Sequence, residues 1–225
     1  MLSKHFPVAT IFIIVLNVVI FAFGLLSGEQ IHIIQNYGFI PNQIFNLQNV
    51  QQNALTSLLQ PSEPQSSSLS LSSVPDSLTR LFASMFVHAN IAHIAFNLVA
   101  LAYLGVYAER AIGVPRYVLI YLTSGVVAAL FHGAIATYIL HNGNVALIGA
   151  SGAISGVLGI AAVTGNTRAY YWLALQIMFA VIGSISALPI AFTAHVGGFI
   201  AGVAMTKLLV RLEQSKRKSK FFPQP

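Results

Sequence analysis

The sequence predicts an all-α, polytopic membrane protein crossing the bilayer six times. Three observations carry that expectation. Of the 225 residues, 56% are hydrophobic and only 7% are charged, with a mean hydropathy of +0.77; a soluble domain of this length needs far more polar surface. Apolar stretches near the length of about 20 residues that spans a bilayer recur six times. Basic residues gather in alternate connections, the pattern that orients a multi-pass chain. The chain has no cysteine, which removes disulfides, thiol nucleophiles and thiolate metal sites together.

The first apolar stretch, Val8–Ser27, follows Lys4 and could pass for a signal peptide. It exceeds the usual apolar region of one, and "LLSGEQ" is a poor cleavage site, so it is expected to be a retained helix. A long outer connection, 28–79, comes next. Its first part, "YGFIPNQIFNLQ", mixes apolar and amide residues and suits the membrane interface. Its second part, "LLQPSEPQSSSLSLSSVP", is Ser- and Pro-rich, the composition of a flexible insertion. The remaining spans are expected at about 81–107, 117–140, 146–164, 169–188 and 190–210. A basic tail, 211–225, closes what is read as a single membrane domain over 1–225, without an internal repeat.

Charge placement sets the expected orientation. Lys4, Arg110, Arg116, Arg168 and the cluster from Lys207 to Lys220 fall on one side, while Glu29, Glu63 and Asp76, with Arg80, fall on the other. Both termini are therefore expected in the cytoplasm, with the cell (inner) membrane as host. The net charge of +6 is accounted for as an orientation signal. The expected partner is the lipid bilayer, and nucleic acid is not expected.

Polar residues inside spans are costly and are candidates for function. Helix two carries His88, His93 and Asn97 in "HANIAHIAFN"; helix four opens with Gly149, Ala150, Ser151 and Gly152; helix six carries His195, Gly198 and Gly202 in "AHVGGFIAG". Each has a bland alternative, since a lone serine commonly bonds its own helix backbone and spaced glycines commonly mean close packing. Their shared depth argues for more. Counted from residues 146 and 189, Ser151 lies about 7 Å and His195 about 9 Å along helices entering from the outer side. His195, Gly198 and Gly202 form one helical stripe, matched by Gly152, Gly156 and Gly159 beside Ser151, so two seams could bring Oγ to the imidazole. His93 and Asn97, four apart, share a face. On a continuous helix His88 turns away from both and is assigned a structural role, as are Gly149, Gly152, Gly198 and Gly202.

These residue types suit acyl transfer. A serine hydroxyl needs a base to take its proton, and neutral imidazole serves near pH 7. The side-chain amide of Asn97, a ring N–H of His93 and the backbone N–H of Ser151 at a helix start can donate to an oxyanion. The acids are Glu29, Glu63, Asp76, Glu109 and Glu213, none in mid-membrane, which excludes an aspartyl pair. A zinc motif of the H-E-x-x-H kind is absent from the sequence. Unless an outer-loop acid folds in, a Ser–His dyad remains.

At these positions the chain resembles the rhomboid intramembrane serine proteases. The resemblance covers about 80–202. It rests on the GxSG motif at 149–152, the histidine with following glycines at 194–202, and the HxxxxHxxxN pattern of His88, His93 and Asn97. "YAERAIGVPRYVLIY", with Glu109, Gly113, Arg116 and Tyr121, is similar to the family's cytoplasmic connector. The resemblance implies a compact six-helix bundle with a short, central helix four. It implies Ser151 as nucleophile, His195 as general base, and His93 and Asn97 as helpers at the oxyanion. It further implies transmembrane protein substrates cut near the outer face, with neither cofactor nor metal. Two departures stand out: the chain lacks the Trp-Arg pair many members carry in the first outer loop, its one tryptophan being Trp172, and Ser155 stands where some members place an aromatic. Two alternatives stay open at this point, an inactive rhomboid-like protein that binds membrane clients, and a transporter or channel using His88, His93 and His195 as a proton path.

Overall fold

The structure is a computed structural model that describes residues 6–46, 73–185 and 191–221. Its helices are α1 (Val8–Ser27), α2 (Gln30–Tyr37), α3 (Asn42–Phe45), α4 (Ser73–Ala83), α5 (Ile91–Ile112), α6 (Val114–Tyr138), α7 (Ser151–Val163), α8 (Arg168–Ile185) and α9 (Phe192–Phe221). The middle of α5 widens into a π-helical turn over Leu101–Gly105. Among the described residues β-structure is limited to one antiparallel bridge, Phe39 to Leu147.

Among the described residues four helices are long and apolar enough to cross a membrane: Val8–Ser27, Ile91–Ile112, Val114–Tyr138 and the Phe192–Ser215 part of α9. The shorter α7 is also apolar, and every residue from Gly152 to Ala161 in it is buried. It packs against α9 and α6, with α5 and α8 completing its surroundings. Large apolar side chains such as Phe12, Phe23, Val99, Leu119 and Ile200 point outward instead. Lipid tails are as apolar as these side chains, so burial alone draws the helices together weakly; close packing of small residues and internal hydrogen bonds must do it.

Several boundaries differ from the sequence expectation. A continuous second span from 81 does not form. After α4 the chain makes one 3-10 turn, Ser84–Phe86, and runs extended at Val87. It re-enters a helix at Ile91, where Asn90 is the N-cap and its side chain accepts a hydrogen bond from His93 N at 2.9 Å. An asparagine in that position competes for the backbone and starts a new helix. The fourth helix begins at Ser151 and not at 146, because Leu147 exchanges two backbone bonds with Phe39 (2.9 and 2.7 Å) and Gly149 has φ +109°. The sixth helix starts at Phe192 and continues through the basic segment to Phe221, so the expected tail 211–225 is largely helical in its described part.

The expected 28–79 connection holds α2, α3 and the start of α4. Its Ser-rich insertion lies outside the described residues, apart from Ser73, Val74 and Pro75, which open α4. What remains is strapped down. Arg80 Nη1 donates to the carbonyls of Gln35 (2.7 Å) and Gly38 (3.0 Å), satisfying the C-terminal end of α2. Asn42 receives Thr137 Oγ1 at 3.0 Å and donates to Asn144 Oδ1 at 2.9 Å. The segment that leads into Ser151 is thus braced from the first connection.

Candidate active site

Ser151 is the first residue of α7 and His195 the fourth of α9. The Oγ of Ser151 lies 2.8 Å from Nε2 of His195. Glycine makes that approach possible. A Cβ on Gly198 would strike the carbonyl of Gly152, and one on Gly202 the backbone of Gly156. On the other side of α7, a Cβ on Gly156 would strike Ser124 of α6. The two helix axes therefore sit closer than any side chain would allow.

The hydrogen bond has one productive direction. When Ser151 donates to Nε2, the neutral imidazole carries its proton on Nδ1. That atom is buried and has no hydrogen-bond partner among the described residues. Among the described residues no third group orients the ring there. Ser155, one turn on from Ser151 and fully buried, donates to the Ser151 carbonyl at 2.8 Å and so steadies the first turn of α7.

Gly149 and His93 form the second half of the site. With φ +109°, residue 149 is in a conformation that L side chains rarely adopt. A Cβ there would also run into Nε2 and Cε1 of His93. Gly149 N donates to Ser84 O at 2.8 Å, fixing the turn. The backbone N–H of Ala89 points at Nδ1 of His93 across 3.5 Å. With Nδ1 accepting, the ring proton sits on Nε2, beside the backbone that leads into Ser151, where it can donate to an oxyanion.

Asn97 is almost fully buried, and its Nδ2 donates to His93 O at 3.1 Å. One of its two amide hydrogens is used within α5 and one is left. Beside Ser151 is a small cavity of about 20 Å³, lined in part by Ser84, Met85, Ala128, Gly149 and Ala194. That is room for about one water.

His88 corrects an expectation. A continuous helix would turn it away from His93, yet the two rings pack edge to face with centroids 4.9 Å apart. The helical-wheel argument fails because His88 precedes the α5 N-cap and is on no helix. It is fully buried, and its carbonyl accepts Gln30 Nε2 at 2.5 Å. The depths also change: Ser151 and His195 lie within the first turn of their helices, shallower along the axis than expected.

Two contacts near the site involve residues outside the candidates named from the sequence. His132 of α6 lies within a span, so the rule that singled out His93 applied to it equally; its Nδ1 is 2.6 Å from Thr193 Oγ1. Phe96 and Trp172 meet edge to face at 5.3 Å between α5 and α8, a contact between apolar rings that no sequence signal marks.

A comparison with known families decides the lineage. The Rhomboid domain family matches residues 75–212, more than half of the chain. The chain belongs to the rhomboid family. Among curated relatives, it is 33% identical over 152 residues to Rhomboid-type serine protease 2 of Emericella nidulans, covering 64% of this chain and 29% of that protein. It is 42% identical over 80 residues to the rhomboid protease GluP of Bacillus subtilis (36% of this chain, 14% of that one). It is 39% identical over 83 residues to the rhomboid protease AarA of Providencia stuartii (33% and 30%). The chain thus spans less than half the length of these rhomboids. Family and apolar helices together make it an integral, polytopic membrane protein.

Proposed function

We propose that this rhomboid is an active intramembrane serine endopeptidase working through a Ser151–His195 dyad. The reading rests above all on the 2.8 Å approach of Oγ to Nε2. Relatives named as rhomboid and serine proteases support the reaction class.

In this mechanism Ser151 Oγ attacks the scissile carbonyl as its proton passes to His195 Nε2. The carbonyl oxygen becomes an oxyanion, met by His93 Nε2–H, the free amide hydrogen of Asn97 and the backbone N–H of Ser151 at the start of α7. Collapse breaks the C–N bond, and the imidazolium returns its proton to the leaving amine. Water then attacks the acyl carbon as it loses a proton to His195, and the second collapse breaks the ester C–Oγ bond, frees the acid and returns the proton to Ser151 Oγ. His195 acts without a carboxylate, so Gly198, Gly202 and the α7 seam supply the orientation that an acid supplies in a triad.

The substrates are transmembrane proteins, and the cut falls near the outer face. The whole chain acts as one membrane domain of six crossings in the cell (inner) membrane, with α8 as the fifth crossing, both termini in the cytoplasm, and Arg110, Arg116, Arg168 and the basic residues from Lys207 to Lys220 on that side. No cofactor or metal takes part in this chemistry.

A fluorophosphonate probe tests the proposal. It should label the solubilised wild-type protein, and neither Ser151→Ala nor His195→Ala. Each variant should also stop cleavage of a transmembrane reporter while remaining folded in the membrane. The double variant should be no worse than either single one, because members of one catalytic unit are not additive. Near-normal turnover in either single variant overturns the dyad.

A further inference from the structure

We propose that His132 is a positioning residue for the reaction: through Thr193 it holds the first turn of α9 in the rotation that aims His195 at Ser151. The proposal rests on the dyad reading above.

His195 has a precarious location. As the fourth residue of α9 it belongs to the end turn, whose backbone N–H groups have no partners within the helix and which frays readily. After Val196 come two glycines, Gly197 and Gly198, which carry no side chain to anchor the turn. Among the described residues no acid meets Nδ1, so the usual tether of the ring is not supplied by them. Something else must keep this turn from opening or rotating.

Thr193 provides the handle. It stands two residues before His195, about 200° away around the helix at 100° per residue. Its Oγ1 meets His132 Nδ1 at 2.6 Å, and both side chains are half-buried. One turn on and on the same face, Gly197 lies against the ring of Phe131, where a Cβ would stand 2.8 Å from Phe131 Cβ. The neighbouring pair Phe131–His132 of α6 thus grips the back of α9, while Gly198 and Gly202 press its front onto α7. Held from opposite sides, the turn is fixed in rotation, and His195 is directed at Oγ.

The atom used makes the test specific. Asparagine places an amide near the position of a histidine Nδ1, whereas glutamine reaches toward Nε2. The labelling rate of the full-length, solubilised protein with fluorophosphonate is measured together with kcat and KM on a transmembrane reporter. His132→Ala and Thr193→Val should each slow labelling and lower kcat by about 3- to 10-fold, the worth of one net hydrogen bond, with KM unchanged. His132→Asn and Thr193→Ser should recover most of the loss, and His132→Gln should not. A wild-type labelling rate in His132→Ala, a pure KM effect, or equal losses in the Ala, Asn and Gln variants overturns the proposal. Should His132→Ala fail to fold, the Thr193 pair decides alone: equal rates in the Ser and Val variants overturn it. Unimpaired labelling of Ser151→Ala would instead overturn the dyad itself, so the two failures are distinguishable.

Discussion

Gly198 lies with its Cα against the carbonyl of Gly152, so close that a Cβ at 198 would overlap that oxygen and stand 3.0 Å from its carbon. The two glycines are one residue past Ser151 and three past His195, so their contact sets the separation of the reacting groups. Gly198→Ala should push α9 off α7. A misplacement of about 1 Å in a catalytic geometry costs on the order of 100-fold, and that is the expected fall in fluorophosphonate labelling. Circular dichroism should show the helices retained. A wild-type labelling rate would mean that the seam does not control the dyad.

His93 and Asn97 should show graded losses. Removing one oxyanion donor in soluble serine proteases costs about 10²–10³ in turnover. In the proposed mechanism other donors remain, so His93→Ala and Asn97→Ala should each lower kcat by about 10- to 100-fold with KM little changed. Because Asn97 Nδ2 also bonds the His93 carbonyl, the double variant should lose less than the product of the two single losses. Steady-state kinetics on a reporter checks both points, and a change confined to KM would move the residues to substrate binding.

The N-terminus of α1 is capped from another helix. Glu109 is fully buried near the end of α5 and accepts Ala9 N at 3.2 Å, Thr10 N at 2.7 Å and Thr10 Oγ1 at 2.7 Å. Pro7 offers no side-chain cap of its own, so a remote carboxylate does the work of one. Glu109→Ala strands these donors inside the protein and should cost about 2–3 kcal/mol. Unfolding in detergent should show that loss, while the fraction still folded labels at Ser151 at the normal rate. Equal stability of wild type and variant would remove Glu109 from the account of the fold.

Cleavage should depend on where a substrate helix is weak. In the proposed orientation the N-terminal end of α7 is the outer one, so a scissile backbone must be extended there to meet Ser151, and Gly or Pro lowers the cost of unwinding. Of two reporters, one with such residues at the outer end of its span and one at the cytoplasmic end, the first should be cut. Mass spectrometry of the products locates the bond. Preferred cutting of the second would reverse the proposed orientation.

How far the sequence carries can be judged from particular residues. Hydropathy is a local property, so the apolar helices and the membrane setting follow from short windows of sequence. Residue chemistry is local too: Ser151, His93, His195 and Asn97 could be named as candidates, and the dearth of acids pointed toward a dyad. Asn90 could have been recognised as a helix start, and overlooking it put His88 on the wrong face. Tertiary structure alone decided the rest. Whether His195 comes within 2.8 Å of Ser151 depends on two glycine seams meeting in register across 44 residues of chain. The Phe39–Leu147 bridge, the hold of Arg80 on α2 and the bond of His132 to Thr193 join segments whose neighbours in sequence say nothing of one another. The physical reason is common to all of them. In a membrane the apolar surfaces of different helices are nearly interchangeable, so which faces meet is chosen by small-residue contacts and a few internal hydrogen bonds, and those exist only once the chain has packed.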